Sequence, residues 1–352
     1  MISTHTYSHE WIQEIQAGLG KKTDTKLLEK VIYALSLLER LQFNGLDLVF
    51  KGGTSLLLTM KQPVRFSIDI DIITQATPEI IEQVLSSIVT EGLFSRWEAD
   101  KNRRHSADAP FLHYKVYYKS SVDNHFGEEP VLLDIMTTVS PYPKVNDQPI
   151  QHDWLHQEGE PLNVKVPAFE CILGDKLTAF APTTTGILYT KQRPVEIMKQ
   201  LHDIGLLFDI AADLELIRQS YLQVVKEELN YRKLELLPAD VLRDTFDTCL
   251  VLTSRNSAHT GYQQLQTGLN NITNFIITRF RIEEAITAAA KTAYLCGLLN
   301  KEVAGIPERF QSPEQVRDIF ISHVDYQWLN KQKKTNPEAF FYWEKAIALK
   351  TG

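Results

Sequence analysis

Cysteine is scarce in this chain: 352 residues contain three, Cys171, Cys249 and Cys296, far apart and without metal-ligand spacing. That excludes a disulfide-stapled scaffold and a thiolate zinc centre, and an odd count inside helical patterns suits buried thiols in a reducing compartment. No apolar run approaches the ~18–20 residues that a membrane span requires. The start, Met-Ile-Ser-Thr-His-Thr, has neither the basic stretch nor the apolar core of a signal peptide. Positive charge is not in excess either. With 37 Lys and Arg against 44 Asp and Glu the net charge is −7, which excludes a surface coated for general nucleic-acid binding but not a local basic groove. There is no internal repeat and no low-complexity tract. These absences, with ordinary apolar and charged fractions, lead to the expectation of a globular cytoplasmic protein long enough for two domains.

What is present falls into two parts. Leu27, Leu28, Val31, Ile32, Leu35, Leu38 and Leu41 recur at helical spacing. After Asn44-Gly45, the run Leu46–Phe50 is strand-like and ends at Gly52-Gly53. Phe66–Ile73 alternates as a strand, Pro78–Thr90 reads as a helix, and His113–Lys119 and Val131–Met136 read as two strands of a hairpin joined by the polar Ser120–Glu129. Residues 46–137 therefore have the mixture of an α+β sheet domain. From Val166 onward strand signals stop. Helices are expected at Pro167–Phe180, Val195–Ile210, Leu214–Glu228, Ala239–Leu252, Tyr262–Leu269, Thr273–Leu299, Pro313–Val324 and Pro337–Leu349. Between the parts, Val139–Val166 carries Pro141, Pro143, Pro149 and Pro161 and is expected to be a loop, giving domains at 1–150 and 151–352.

The chemistry-bearing segment is Lys51-Gly-Gly-Thr-Ser55 followed by Arg65-Phe-Ser-Ile-Asp-Ile-Asp-Ile72. Alternate residues of a strand share a face, so Phe66, Ile68, Ile70 and Ile72 point into a core while Arg65, Ser67, Asp69 and Asp71 point the other way. Two carboxylates that close repel unless a cation lies between them, and Mg²⁺, which takes oxygen ligands, suits a carboxylate-only site. In Val131-Leu-Leu-Asp-Ile-Met136 the same alternation sets Asp134 apart from Val131, Leu133 and Ile135. An acid in an apolar strand needs a partner, and three acids from two strands would build a two-metal clamp for phosphoryl or nucleotidyl transfer. Strand, Gly52-Gly53, then Thr54-Ser55 opening a helix has the form of a phosphate cradle. The plainer alternative is that Asp69 and Asp71 only keep one sheet face wet. The glycine turn and Asp134 weigh against it.

Gly-Gly-Thr-Ser-Leu, a short helix, then Arg-Phe-Ser-Ile-Asp-Ile-Asp-Ile resembles the signature of the AbiEii-type nucleotidyltransferases, toxins of type IV toxin–antitoxin and abortive-infection systems within the DNA polymerase β superfamily. The resemblance covers about residues 46–210 and is strongest over 51–72. It implies a polymerase β-like nucleotidyltransferase sheet domain, with N-terminal helices, followed by a mainly helical domain closing the active-site cleft. It implies an enzyme that moves a nucleoside monophosphate from a nucleoside triphosphate to an acceptor hydroxyl, with a two-Mg²⁺ site held by Asp69, Asp71 and Asp134. Gly52, Gly53, Thr54, Ser55 and Ser67 would bind the nucleotide's phosphates, and Arg65 would brace the carboxylates or a phosphate, or be structural.

The family's Asp-Lys-Leu-x-Ala helix is matched by Asp175-Lys176-Leu177-Thr178-Ala179. Its Lys-Asp-x-x-Asp-Leu helix is matched less well by Lys199-Gln200-Leu201-His202-Asp203-Ile204, where Gln200 replaces the first Asp. The resemblance places Lys176 and Asp203 in the active site. On the residues alone, Lys176 falls inside the stripe Phe169, Ile172, Leu173, Leu177 and Phe180, where a lysine snorkels to water, and Asp203 could pair with Lys199 one turn earlier.

For the acceptor, the resemblance implies the 3′ end of tRNA, and a cognate antitoxin as partner. Lys101, Arg103, Arg104, Lys191 and Arg193 could form the basic groove this needs, and Tyr114, Tyr117, Tyr118 and Tyr189 could stack bases. Lys331–Gln332–Lys333–Lys334 is a further basic cluster. Two other readings stay open: the same chemistry on a small-molecule or protein acceptor, and a non-catalytic nucleotide- or partner-binding module.

Overall fold

The computed structural model describes residues 1–20, 23–60, 65–100, 110–122 and 127–352, so the expected basic cluster at 101–105 lies outside the described residues. The chain forms two compact units. The first comprises Met1–Ser140, Lys144–Pro167 and Asn274–Thr278, and the second Pro141–Pro143, Ala168–Thr273 and Arg279–Gly352. The architecture is α+β, as expected, with a mixed sheet in the first unit and helices in the second. The sheet unit runs on to Pro167, past the boundary expected at residue 150.

In the first unit, α1 (His9–Leu19) and α2 (Thr25–Phe43) precede β1 (Val49–Lys51). The one-turn α3 (Leu56–Thr59) and β2 (Ile70–Ile73) follow, then α4 (Pro78–Thr90), β3 (Arg96–Ala99), β4 (Phe111–Lys119), β5 (Glu128–Met136), β6 (Val145–Pro149) and β7 (Asn163–Pro167). The strand order is β3-β4-β5-β2-β1-β7-β6. β1 is antiparallel to β2 and parallel to β7, β2 is parallel to β5, and β4–β5 form the expected hairpin.

The core is built by the apolar phases of these elements. Leu28, Val31, Ile32, Leu35, Leu38 and Leu41 of α2 are fully buried, and α2 packs on β2 and β5. Ile70, Ile72, Val131, Leu133 and Ile135 are buried to within 1% of full burial. Glu29, on the same helix, is buried yet satisfied: it accepts from the Ser121 N–H at 2.6 Å and from the hydroxyls of Ser120 and Ser121 at 2.6 and 2.9 Å, tying α2 to the end of β4.

Three strands were hidden in the sequence. β3 and β6 are short edge strands with exposed polar residues, and β7 has only Val164 and Val166 to signal its buried face. An edge strand buries too little to produce a hydrophobic alternation, and the prolines around β6 and β7 read as loop. The expected strand over Phe66–Ile73 is shorter than predicted. Only Ile70–Ile73 joins the sheet, while Arg65 bridges Ile276 and the Phe66 N–H donates to the Phe275 carbonyl at 2.7 Å.

The second unit holds α5 (Phe169–Ala179), α6 (Pro194–Ile210), α7 (Leu214–Arg232), α8 (Pro238–Ser254), α9 (Thr260–Ile272), α10 (Ile282–Asn300), α11 (Gln332–Thr335) and α12 (Pro337–Thr351). α10 lies against α6, α8 and α12. Its small residues Ala285, Ala288, Ala289, Ala290 and Ala293 permit this, and Gly205 of α6 leaves no room for a Cβ beside Ala288. The helix expected over Thr273–Leu299 begins only at Ile282, because 274–278 pairs with the first unit instead. Pro313–Val324, expected as one helix, is a 3-10 turn at Pro313–Val316 followed by irregular chain. No helix among the described residues is long and apolar enough to cross a membrane. All three cysteines are buried and outside any disulfide, and burial pushes the Cys249 and Cys296 thiols well above their ordinary range.

Candidate active site

The sheet register brings two of the predicted carboxylates, Asp71 and Asp134, to one face. In the parallel pair β2–β5, Asp71 lies directly beside Asp134. In the antiparallel pair β1–β2, Lys51 lies beside Asp71, and in β4–β5, His113 lies beside Asp134. Directly paired residues share a face with Cβ atoms ~4.5–5.5 Å apart. One row of polar side chains, Lys51–Asp71–Asp134–His113, therefore crosses four strands, set beside the buried Phe50, Ile70, Ile72, Leu133, Ile135 and Tyr114. Asp69 lies just before the first residue of β2, outside the paired register.

The glycine turn is shaped around these groups. Gly52 has φ of +75°, and a methyl there would lie 2.8 Å from Cγ of Asp71, so only glycine lets the Asp71 carboxylate rest on the turn. At Gly53 a methyl would lie 3.1 Å from Cζ of Arg65 and 3.0 Å from Oγ of Ser67. Arg65 is 5% exposed, and its Nη1 donates to the Phe66 carbonyl at 3.1 Å.

Thr54 and Ser55 are fully buried. The Thr54 hydroxyl donates to the Asp69 carbonyl at 2.5 Å and accepts from the Ser67 hydroxyl at 2.8 Å, and Ser55 Oγ donates to the Gly52 carbonyl at 2.8 Å. These hydroxyls lock the turn onto the Ser67–Asp69 segment. The helix that follows is four residues long, too short for the expected helix-terminus contribution to anion binding, which comes from many aligned peptides. Any phosphate affinity here rests on the turn's backbone.

The donors are hard carboxylate oxygens, which suit Mg²⁺. Among the described residues no three His, Cys, Asp or Glu side chains are grouped closely enough to hold one ion by themselves. Mg²⁺ is commonly held by one or two carboxylates, with substrate phosphates and water completing its octahedron. The Asp71–Asp134 neighbourhood with Asp69 fits that pattern, and the closed protein cage of a structural metal does not.

Lys176 and Asp203 belong to the second unit, where the structure pairs them. Lys176 Nζ lies 2.7 Å from Asp203 Oδ2, with side chains 6% and 0% exposed, and donates to Gln200 Oε1 at 3.2 Å. Lys176 does not snorkel: a lysine in an apolar stripe facing a buried aspartate is held by that charge. Lys199, the expected partner of Asp203, pairs with Glu196 at 2.9 Å. Gln200, the departure from the family motif, thus supplies a neutral oxygen to the same ammonium. Asp175 accepts from the Tyr142 hydroxyl at 2.5 Å.

The proposed stacking residues divide. Tyr118 is fully buried and stacks on Tyr33 at 3.6 Å, and Tyr114 is 3% exposed, so both belong to the core. Tyr117 stays near the surface with Arg96 over its ring at 3.4 Å. Tyr189 lies in the second unit, its hydroxyl pushed well above the ordinary range by burial. Lys191 and Arg193 are exposed. Sequence reasoning missed Lys51 and His113. Each stands in the polar phase of its strand, but that phase marks many surface residues, and only the register shows which ones meet an acid.

The sequence profile described as "Nucleotidyl transferase AbiEii toxin, Type IV TA system" matches residues 36–258, more than half of the chain. The chain belongs to the AbiEii nucleotidyltransferase toxin family. The match spans Gly52, Asp69, Asp71, Asp134, Lys176 and Asp203. No curated protein sequence matches the chain significantly. Among solved structures, MenT4, a nucleotidyltransferase toxin from Mycobacterium tuberculosis, is similar with a TM-score of 0.50 at 15% identity, over 90% of this chain and 94% of that one. JHP933 from Helicobacter pylori matches with a TM-score of 0.44 at 17% identity, over 80% and 94%. The likeness to MenT4 shows the shared fold, and the family shows that this AbiEii protein is a nucleotidyltransferase of the toxin–antitoxin type.

Proposed function

We propose that this AbiEii enzyme transfers a nucleoside monophosphate from a nucleoside triphosphate to a hydroxyl at the 3′ end of tRNA, with Mg²⁺ at Asp69, Asp71 and Asp134. The observation that carries the reading is the cross-strand pairing of Asp71 with Asp134 beside a glycine turn moulded to the Asp71 carboxylate. Bound Mg²⁺ supplies neutralisation of triphosphate charge and alignment of the reacting oxygens.

The protein's share follows from its own groups. The Gly52-Gly53 backbone lets phosphates approach, and Thr54 and Ser55 hold that backbone in shape from beneath. Arg65 braces the turn. Asp134 orients the acceptor hydroxyl and takes its proton as the hydroxyl oxygen bonds to the α-phosphorus. The α–β bridging P–O bond breaks in line, and its electron pair leaves on pyrophosphate. In this reading Lys176 and Asp203 also serve the reaction, as the family resemblance assigns them, with a cognate antitoxin restraining the enzyme in the cytoplasm.

The test combines purified protein, Mg²⁺, total tRNA and each labelled nucleoside triphosphate in turn, with Asp69→Ala and an EDTA-treated sample alongside. Label should enter tRNA only with the native protein and free metal. Label entering a protein or small molecule would overturn the acceptor while keeping the chemistry. Unchanged labelling by Asp69→Ala would overturn the carboxylate assignment.

A further inference from the structure

We propose that His113 is a positioning residue for Asp134, holding the carboxylate in the orientation in which it meets the metal and the acceptor hydroxyl. The inference rests on the reading of Asp134 as a metal ligand. His113 Nδ1 lies 2.8 Å from Asp134 Oδ1, and the two residues are direct partners in the β4–β5 ladder. The His113 side chain is 8% exposed against 24% for Asp134. The imidazole is thus the buried, supporting member, and the carboxylate is the one offered to the open face.

A short contact to a carboxylate oxygen makes Nδ1 the protonated nitrogen, with the N–H donating. A carboxylate pinned at one oxygen by a buried ring loses the rotation about its terminal torsion that would let it swing from its neighbour Asp71. Partners that orient metal ligands in this way commonly set metal affinity or activity by ~10–100-fold.

The nearest lysine in the same phase of β4 does not serve Asp134. Lys115, two residues along β4, is drawn to β3 and the residue after it, 3.2 Å from Asp100 Oδ2 and 3.9 Å from Glu98 Oε1. Position 113 is the place from which β4 reaches Asp134, and histidine is suited to it: its ring is short and rigid enough to donate across one strand spacing.

The experiment compares native protein with His113→Leu, His113→Asn and Asp134→Asn. Two quantities are read: Mn²⁺ binding by electron paramagnetic resonance in the presence of a non-hydrolysable nucleoside triphosphate analogue, and the Mg²⁺ concentration giving half-maximal nucleotide transfer. Leucine fills the space without a donor, and asparagine places an amide N–H near the position of Nδ1–H. His113→Leu should weaken Mn²⁺ binding and raise the half-saturating Mg²⁺ by about 10–100-fold, while His113→Asn stays within about threefold of native.

Unchanged metal dependence in His113→Leu overturns the proposal, as does a loss in His113→Asn equal to that in His113→Leu. If Asp134→Asn itself binds Mn²⁺ like the native protein, the metal-ligand reading of Asp134 is what fails. Should His113→Leu not fold, ring ¹⁵N spectra of the native protein carry the test. The His113 Nδ1 resonance should shift when Mg²⁺ and the analogue are added, and an unmoved resonance overturns the proposal.

Discussion

At the scale of single residues, two glycines with nearly the same backbone show what the turn beside Asp71 demands. Gly45 and Gly52 have φ of +78° and +75°, yet a methyl at Gly45 meets nothing within 4 Å whereas one at Gly52 overlaps the Asp71 carboxylate. Both alanine substitutions carry the left-handed backbone penalty, about 1–2 kcal/mol. Urea unfolding should therefore show a loss of that size for Gly45→Ala and at least as large a loss for Gly52→Ala, while nucleotide transfer falls at least about tenfold in Gly52→Ala alone, as expected when a reacting group is displaced by an ångström. Equal activities in the two variants would show that the position of Asp71 is not critical.

Helices α5 and α6 meet the same logic at the scale of elements. Lys176 from one and Asp203 from the other form a buried ion pair with Gln200 as a third member. Lys176→Met removes the ammonium that balances the buried Asp203 carboxylate from 2.7 Å, and about 3–5 kcal/mol of stability should be lost in chemical unfolding. Adding Asp203→Asn should recover much of that loss, because the buried charge is then gone. Activity separates the two roles of the pair. If it were purely structural, the double variant would regain transfer along with stability. The proposed catalytic role predicts a stable, inactive double variant. Between helix and hairpin, Glu29 secures α2 to the end of β4, so the register that pairs His113 with Asp134 is held from outside the sheet as well as within it.

For the whole molecule, stability toward acid should carry the imprint of His152. Burial pulls its pKa down from 6.5 to about 4, opposed in part by the neighbouring Asp153. The Trp154 N–H donates to its Nδ1 at 3.1 Å, which requires the neutral ring. Because the folded protein disfavours the proton that the unfolded chain accepts, this contribution is complete above about pH 6.5. It is lost as pH falls toward 4, by up to about 3 kcal/mol. His152→Asn keeps an acceptor for Trp154 without titrating in this range. Its unfolding free energy should depend less steeply on pH between 6.5 and 4 than that of the native protein, and parallel curves would exclude His152 as the cause.

Much of the site was legible along the chain. The two-residue period of Ile68–Ile72 and of Val131–Ile135 put Asp69, Asp71 and Asp134 off the core face, and the Gly-Gly turn stood where a carboxylate needed room. Side-chain phase and tolerance of positive φ are local steric properties, so sequence alone determines them. Which strands become neighbours is not local. That Asp71 aligns with Asp134, that His113 stands across from it and that Lys51 closes the row depend on pairings made across 20 to 63 residues of chain, chosen by total burial against the entropy of closing long loops. The same competition inserted the weakly apolar β7 beside β1 and drew 274–278 out of a helical pattern to meet Phe66. Tertiary structure also decided that Lys176 would answer Asp203 rather than water, since a buried charge takes whichever partner the packing of two helices presents.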